Sequence, residues 1–137
     1  MGDQRTILVV EDEFFIRMSA IGALQDEGFL VLAAKNSADA LDVLSRHSET
    51  NILITDVRMP GLMDGLALVA RVHIDHPEIC SIVVSGNASA QQARNAGAFG
   101  FVAKPYLVKT MIQAVHDCAA TLETLCMQVK LSAPPTL

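Results

Sequence analysis

The chain has 137 residues, which is enough for one domain and too few for two of ordinary size. Apolar residues make up 51% of it, so a sizeable core can form, and the 4% aromatic share makes that core mostly aliphatic. The net charge of −5 argues against nucleic acid as a partner, because phosphate binding requires a basic surface. No apolar run approaches the roughly 20 residues of a membrane-spanning helix, and no signal-peptide pattern opens the chain. We therefore expect a cytoplasmic protein that binds neither nucleic acid nor a membrane.

Strand-like and helix-like patterns alternate along the whole chain. Short aliphatic runs predict strands, and apolar residues at helical spacing, such as Phe14, Met18 and Ile21, predict helices. The predicted strands cover residues 6–10, 29–34, 51–56, 80–85 and 100–103. The predicted helices cover residues 13–27, 37–46, 65–75, 89–96 and from about 106 onward. Five strands alternating with five helices predict an α/β fold with a doubly wound parallel sheet and helices on both faces.

Local signals mark where several of these helices start and stop. Gly28 fits the position after a helix end, where the left-handed conformation is common. Asn36 and Ser37 are cap candidates at the start of the second helix. Ser89 and Gln92 have the spacing of a capping box at the start of the fourth. These residues therefore predict helix boundaries that the structure can test.

The last helix is longer than the sheet requires. Its apolar stripe continues for over five turns, whereas about three turns cover a five-stranded sheet. We expect residues 5–120 to form the domain and residues 121–137 to be an extension of this helix with a disordered tail. An exposed apolar stripe usually marks a contact site, so residues 119–130 are predicted to mediate homodimerisation or bind a partner. The alternative is that this segment packs back on its own domain.

The three cysteines form an odd set without the spacing of a metal site. We expect buried or free thiols in a reducing cytosol. Cys118 and Cys126 would lie about 12 Å apart along a helix, which is too far for a disulfide.

Polar side chains follow the apolar runs at four of the predicted strand ends. These residues are Glu11 and Asp12, then Asp56, Ser85 and Lys104. The carboxyl ends of parallel strands share one edge, which is where open α/β sheets bind their ligands. We therefore expect these side chains to meet at that edge, although any one of them alone would suit a solvated loop.

The chemistry of this group favours a phosphorylation site. Close carboxylates repel one another unless a cation neutralises them, and Mg²⁺ prefers hard oxygen ligands of this kind. Lys104 adds a positive charge for an anionic oxygen, and Ser85 adds a hydroxyl donor. Together these groups are suited to holding a phosphoryl group on the Asp56 carboxylate as an aspartyl phosphate.

These motifs resemble those of the receiver domain of bacterial two-component response regulators. Residues 7–12 resemble the first-strand motif with its acidic pair, and residues 55–60 with 63–65 resemble the phosphoacceptor motif. Residues 84–86 match the hydroxyl-bearing strand end, and residues 104–106 match the Lys-Pro-aromatic signature. Four such motifs in order are specific, and the resemblance implies the flavodoxin-like strand order 2-1-3-4-5.

The resemblance also implies a role for each site residue. Asp56 would accept a phosphoryl group from a histidine kinase or a phosphotransfer protein, with Ser85 and Lys104 contacting the phosphoryl oxygens. Phe101 occupies the position of the switch aromatic residue, which would act together with Ser85. The metal, Mg²⁺ or Mn²⁺, would be held by Glu11, Asp12, Asp56 and the backbone carbonyl of Arg58.

The chain departs from the family pattern at several positions. Glu11 is longer than the Asp often found there, Arg58 puts a long cation beside the site, and Phe101 lacks the hydroxyl of the common Tyr. The loop after Asp56 looks one residue longer than usual. The contacts of this loop and the effect of Arg58 on the site are therefore open at the level of the sequence.

Two other functions compete with a phosphorylation-switched signalling module. A small aspartyl-phosphate phosphatase or phosphotransferase would use Asp56 as nucleophile, but Arg58 stands where such an enzyme has its second Asp. A flavodoxin-like cofactor binder is disfavoured, because the acids after the first strand would repel a flavin phosphate. We expect a stand-alone response regulator that is not an enzyme beyond slow self-dephosphorylation and that acts on a downstream protein the sequence does not identify.

Overall fold

Five apolar runs pair in parallel to form the central sheet of this computed structural model, which describes residues 5–132, with side chains to residue 125. The strand order is β2-β1-β3-β4-β5, as the resemblance implies. The strands are β1 (Thr6–Val10), β2 (Leu30–Ala34), β3 (Thr50–Asp56), β4 (Cys80–Ser85) and β5 (Gly100–Ala103). The helices are α1 (Phe14–Asp26), α2 (Ser37–Arg46), α3 (Gly65–Asp75), α4 (Ala90–Ala96) and α5 (Val108–Ser132). The predicted elements are confirmed, with strand ends that differ by at most one residue.

The sheet is buried on both faces because successive side chains of a strand point to opposite sides. Leu8 and Val10 of β1 face one core, which α2, α3 and α4 cover. Ile7 and Val9 face the other core, which α1 and α5 cover. The continuous apolar runs of the sequence therefore follow from having helices on both sides of the sheet.

The local helix signals are confirmed with one adjustment. The Asn36 side chain accepts a hydrogen bond from the Asp39 N–H at 2.8 Å, whereas Ser37 is the first helical residue. Ser89 and Gln92 form the predicted capping box, and Gly28 follows α1 with φ of 95°. These bonds satisfy backbone N–H groups that have no partner within the helix.

The first turn of α1 does not pack as the helical spacing indicates. Phe14, Phe15 and Met18 are all exposed, and the buried residues of the helix are Ala20 and Leu24. The prediction of an apolar face is therefore right only for the later turns. Within residues 5–125, no element covers the first turn, so its aromatic side chains lie on the surface.

The prediction of free thiols is wrong for two of the three cysteines. Cys80, at the start of β4, and Cys118, in α5, form a disulfide, and their Cα atoms lie 6.1 Å apart. Both residues are buried, as predicted. The pairing joins positions 38 residues apart in the sequence, so only the tertiary packing of α5 on β4 brings them together. The side chain of Cys126 lies outside the described side chains.

Helix α5 extends beyond the sheet, as its sequence stripe predicts. Met111, Val115 and Cys118 are buried against the sheet, Leu122 is partly buried, and Leu125 is half exposed. The disordered tail was predicted to begin at Ser132, but Ser132 still belongs to the helix, and the rest of the predicted tail, 133–137, lies outside the described residues. No helix in the part of the chain that the structure describes is long and apolar enough to cross a membrane.

Candidate functional site

The carboxyl edge of the sheet brings the predicted polar residues together. Glu11 directly follows β1, Asp56 and Ser85 are the last residues of β3 and β4, and Lys104 directly follows β5. The parallel register aligns these strand ends, for example by pairing Asp56 with Val84 and Ser85 with Ala103. The sheet itself therefore assembles the group.

Lys104 is the cation at the centre of the group. Its Nζ lies 2.8 Å from Asp56 Oδ2 and 3.4 Å from Glu11 Oε2. Burial alone would lower the pKa of Lys104, but the hydrogen bond to Asp56 and the two negative charges outweigh burial and raise the pKa. The ammonium is therefore charged throughout the neutral range and available to an anionic oxygen.

Glu11 is the most buried carboxylate of the site. Its Oε1 accepts a hydrogen bond from the Glu13 N–H at 3.1 Å. Burial raises the pKa of Glu11 to about 7, although the Glu13 N–H and the Lys104 charge oppose this rise. A carboxylate held in this way releases its proton readily when a further cation approaches.

The donor set fits a divalent metal. Glu11, Asp12 and Asp56 each offer an oxygen, and these oxygens all lie within 4.8 Å of one another. In octahedral Mg²⁺ coordination adjacent ligand oxygens are about 3 Å apart and opposite ones about 4.2 Å, so the three oxygens could share one ion after the side chains close around it. Asp12 is exposed, which leaves room on its side for the waters that Mg²⁺ keeps.

Arg58 lies at the mouth of the site. It is exposed, and it lines an open cavity of about 420 Å³ together with Asp12 and Asp64. Among residues 5–125, its guanidinium has no hydrogen-bond or ion-pair partner. The long cation that departs from the family pattern is therefore free to meet an anion arriving at the acidic cluster.

Ser85 and Phe101 occupy different environments. Ser85 is buried, and its Oγ accepts hydrogen bonds from the N–H groups of Asn87 and Ala88 at 3.1 and 3.0 Å. Its hydroxyl proton remains available to a further acceptor, because both bonds use its oxygen. The Phe101 ring is partly buried and packs against the core on the α2–α4 side. The structure thus holds the Ser85 hydroxyl, at the end of β4, against the loop before α4, and holds Phe101 turned inward.

Comparison with known proteins agrees with this geometry. A family model described as "Response regulator receiver domain" matches residues 7–116. The chain belongs to the response regulator receiver domain family. The matched residues include every residue of the candidate site, the whole of the core that α2, α3 and α4 cover, and all of the other core up to Val115.

The relatives of this receiver domain include longer proteins. The chain is 39% identical over 116 residues to the sensor kinase CckA of Brucella abortus, covering 82% of this chain and 12% of that protein. A receiver domain protein from Clostridium thermocellum matches in structure with a TM-score of 0.82 at 26% identity, over 88% of this chain and 98% of the other. The structure of NtrX from Brucella abortus matches with a TM-score of 0.86 at 26% identity, over 98% of this chain and 32% of that one. The chain spans an eighth to a quarter of the length of the curated relatives it matches first.

Some residues that shape the receiver domain site have no role assigned from the sequence alone. A Cβ at Gly65 would collide with the backbone carbonyl of Asp56 and lie 2.8 Å from Val57 Cα, so only glycine fits there. The Arg17 guanidinium donates to the Glu11 carbonyl at 2.7 Å and fixes the segment after β1. The sequence signal for Gly65 is its position directly after Asp64. The Asp64 side chain caps α3, because its Oδ1 accepts a hydrogen bond from the Ala67 N–H at 2.9 Å.

A groove beside the receiver domain site was also missed. It has a volume of about 590 Å³, lies between α1 and the start of α5, and is lined by Phe15, Ile16, Lys104, Pro105, Tyr106 and Val108. Burial raises the pKa of the Tyr106 hydroxyl, which keeps it neutral. The sequence carries one signal of the groove, which is the pair Phe14-Phe15. This pair directly follows three acidic residues, and that is an unusual sequence context for exposed aromatic side chains.

Proposed function

We propose that Asp56 accepts a phosphoryl group from the phosphohistidine of a histidine kinase or phosphotransfer protein. The observation that carries this proposal is the Asp56 carboxylate, which ends β3 next to two other acids and bonds Lys104 Nζ at 2.8 Å. Close carboxylates repel a further anion that arrives alone. They accept an anion that binds together with a divalent metal, because the metal neutralises their charge. The family to which the chain belongs supports the same assignment.

The transfer is a displacement at phosphorus. A carboxylate oxygen of Asp56 attacks the phosphorus atom, the phosphorus–nitrogen bond of the phosphohistidine breaks, and the electron pair leaves with the imidazole nitrogen. Lys104 holds the Asp56 carboxylate in place and remains beside the new phosphoryl oxygens. Because Val57 N–H donates to Asp56 Oδ1 at 2.7 Å, both oxygens of the nucleophile are oriented before the donor arrives.

The acidic cluster requires a divalent metal for this step. With all three acids ionised, the single positive charge of Lys104, which pairs with the carboxylates of Glu11 and Asp56, does not balance their charge. Bound Mg²⁺ would neutralise the charge that the incoming phosphoryl group adds. Glu11, Asp12 and Asp56 would hold it, with the Arg58 carbonyl as the fourth ligand proposed from the family pattern.

Phosphorylation would change the structure through Ser85 and Phe101. A phosphoryl oxygen near the end of β4 would accept the Ser85 proton and draw the hydroxyl away from the Asn87 and Ala88 N–H groups. The space that the hydroxyl vacates would then admit a different Phe101 rotamer. The resulting readout surface comprises α4, β5 and α5, and its amide exchange would differ with and without a phosphoryl mimic.

The groove between α1 and α5 would receive the phosphodonor. It shares Lys104 with the site, so a protein that brings a phosphohistidine over Asp56 must also cover Phe15 and Val108. Phe15 is 79% exposed, and burying an aromatic ring of this kind at an interface supplies substantial binding free energy. The receiver domain would thus recognise its donor through an apolar surface next to a charged site.

Replacing Phe15 separates docking from chemistry. Phe15→Ala should slow transfer from the donor protein and leave phosphorylation by acetyl phosphate unchanged, because the small donor does not need the groove. Ile74→Ala is the matched control, since Ile74 is similarly exposed on α3 and lies outside the groove. Equal slowing with both phosphodonors would contradict docking at this groove.

Incubation with acetyl phosphate and Mg²⁺, followed by intact mass measurement, tests the function itself. A single phosphoryl adduct that survives for minutes supports the receiver assignment and the absence of enzymatic activity. Steady release of phosphate without a detectable adduct would instead identify the small phosphatase, which uses the same Asp56 nucleophile.

Residues 119–130 are proposed to form a homodimer or to bind the downstream protein. Leu125 is half exposed beside Leu122 and Phe99, so apolar surface is available at this end of α5. Deletion of residues 121–137, with the molar mass measured by light scattering, tests the dimer. A full chain that stays monomeric at high concentration, with and without a phosphoryl mimic, would exclude it.

The cellular setting of the domain is proposed on the family alone. We propose that the domain belongs to a bacterial, cytoplasmic response regulator. The longer relatives carry the same domain within larger chains, and the mass of the native protein in cell extract would distinguish a stand-alone protein from one domain of a longer one.

A further inference from the structure

The disulfide between Cys80 and Cys118 has no part in the proposed phosphorylation chemistry. It lies at the end of β4 opposite to Ser85, in the core that α1 and α5 cover. The separation of the two Cα atoms, 6.1 Å, falls inside the range of unstrained disulfides. The backbone is thus positioned to hold this pair either bonded or as two thiols, without a change of fold.

Cys80 is the less deeply buried member of the pair. Cys80 lines a groove of about 590 Å³ at the amino edge of the sheet, together with His73, Phe99 and Leu122. Cys118 is fully buried and does not line this groove. An attacking thiolate therefore meets the Cys80 sulfur first, and Cys118 is the leaving group.

The segment that the disulfide closes contains much of the proposed switch. Residues 80–118 include Ser85, Phe101 and Lys104, and they span β4, α4, β5 and the first half of α5. Helix α5 packs against β4 and β5 over the same stretch. A covalent bond between Cys80 and Cys118 therefore restrains the elements that the proposed phosphorylation switch would move.

We propose that Cys80 and Cys118 form a reversible thiol–disulfide pair that exchanges with small thiols of the glutathione class and sets how firmly α5 is held on the sheet. In the reducing direction, a glutathione thiolate attacks the Cys80 sulfur, the bond to Cys118 breaks, and Cys118 takes the electron pair and a proton. A second glutathione thiolate then attacks the sulfur of the bound glutathione, which forms glutathione disulfide and releases Cys80 as a thiolate that takes up a proton. The net reaction reduces one protein disulfide to two thiols and oxidises two glutathione molecules to their disulfide.

The exchange is tested on the full chain across a series of reduced to oxidised glutathione ratios. After acid quenching, the free thiols are alkylated in denaturant and located by peptide mapping. Cys80 and Cys118 should lose and regain alkylation together, in a transition that depends on the square of the reduced glutathione concentration. Cys126 should not follow this transition. Full alkylation of Cys80 and Cys118 at every ratio, or pairing of either with Cys126, would overturn the proposal.

Two variants sharpen this assignment. Cys126→Ser should keep the paired transition, because Cys126 takes no part in it. Cys118→Ser should abolish it and leave Cys80 to form a mixed disulfide with glutathione, provided that the variant folds. The wild-type alkylation pattern decides the pairing on its own if that variant does not fold.

Amide exchange of the unphosphorylated Cys126→Ser protein tests the tether. Exchange in α5 should be slower in the oxidised form than in the reduced form, and equal exchange would overturn the claim that the bond holds α5. The meaning of the tether for signalling rests on the proposed function, but neither measurement needs phosphorylation. If Cys80 and Cys118 do not pair but acetyl phosphate labels the protein normally, only the redox proposal is refuted. If they pair but labelling fails, only the assignment of the phosphoacceptor is refuted.

Discussion

The two edges of the sheet differ in chemistry although the same five strands connect them. At the carboxyl edge, Asp56, Glu11 and Lys104 are held by hydrogen bonds and ion pairs beside open cavities. At the amino edge, Cys80 begins the strand that ends at Ser85, and its disulfide to Cys118 lies in an apolar core. The carboxyl edge therefore offers clustered charged groups that suit an ion, whereas the disulfide at the amino edge joins α5 to the sheet. Damage to one edge should leave the other measurably intact.

Gly65→Ala should have the largest effect, and it should act on the carboxyl edge. The added Cβ would collide with the Asp56 carbonyl, so the turn between β3 and α3 must move. We expect a loss of about 4 kcal/mol or more in the free energy of unfolding, together with weaker Mg²⁺ binding. Urea unfolding measures the first quantity and Mg²⁺ titration the second.

Gly22→Ala is the control for this substitution. Gly22 lies inside α1, and a Cβ added at that position would have nothing within 4 Å, so the change should stabilise the protein by roughly 0.5–1 kcal/mol. Equal stability of the Gly65→Ala protein and the wild type would mean that α3 does not approach β3 as closely as the structure has it.

The predictability of the two edges from sequence also differs. The strand ends were predicted within a residue because continuous aliphatic runs followed by polar residues are a local signal. The need for glycine at position 65 and the Cys80–Cys118 pair were not predicted, since both depend on elements that meet only in the tertiary fold. The helical spacing of Phe14 likewise says nothing about whether a partner element covers that turn.

Reduction of the disulfide should have the next largest effect, and it should act on the amino edge. A bond that closes a loop of 38 residues restricts the unfolded chain, which stabilises the folded protein by up to about 4 kcal/mol. Thermal unfolding of the Cys126→Ser protein with and without a reductant measures this difference. The Mg²⁺ affinity should stay the same in both states, because the acids lie at the opposite edge. A large change in that affinity would break the separation of the two edges.

Asp12→Ala should weaken Mg²⁺ binding without changing the fold. Removing one of three ligand carboxylates should lower the affinity tenfold or more, which corresponds to about 1.4 kcal/mol. Calorimetric titration measures the affinity, and Asp42→Ala removes the same charge from an exposed ion pair on α2 as a control. An Asp12→Ala protein with the affinity of the wild type would exclude Asp12 as a ligand.

Arg58→Ala should have the smallest effect of the series. Its exposed guanidinium can pair with phosphoryl oxygens at the mouth of the site, and a charge pair of this kind contributes at most about 1 kcal/mol. The phosphoryl group on the variant should therefore hydrolyse severalfold faster, while Arg58→Lys should retain much of the wild-type lifetime. Arg71→Ala removes a surface cation from α3 and should leave the lifetime unchanged. Identical lifetimes for all four proteins would show that Arg58 does not contact the phosphoryl group.

The assignment of Asp56 as phosphoacceptor is the central claim, and reductive trapping tests it most directly. Borohydride converts an aspartyl phosphate to homoserine, so the modified position can be read from peptide masses after labelling with acetyl phosphate and Mg²⁺. We predict homoserine at position 56 alone in the wild type, and none in a folded Asp56→Asn variant. Homoserine at position 12 or elsewhere, or phosphoryl incorporation that persists in the Asp56→Asn protein, would contradict the account.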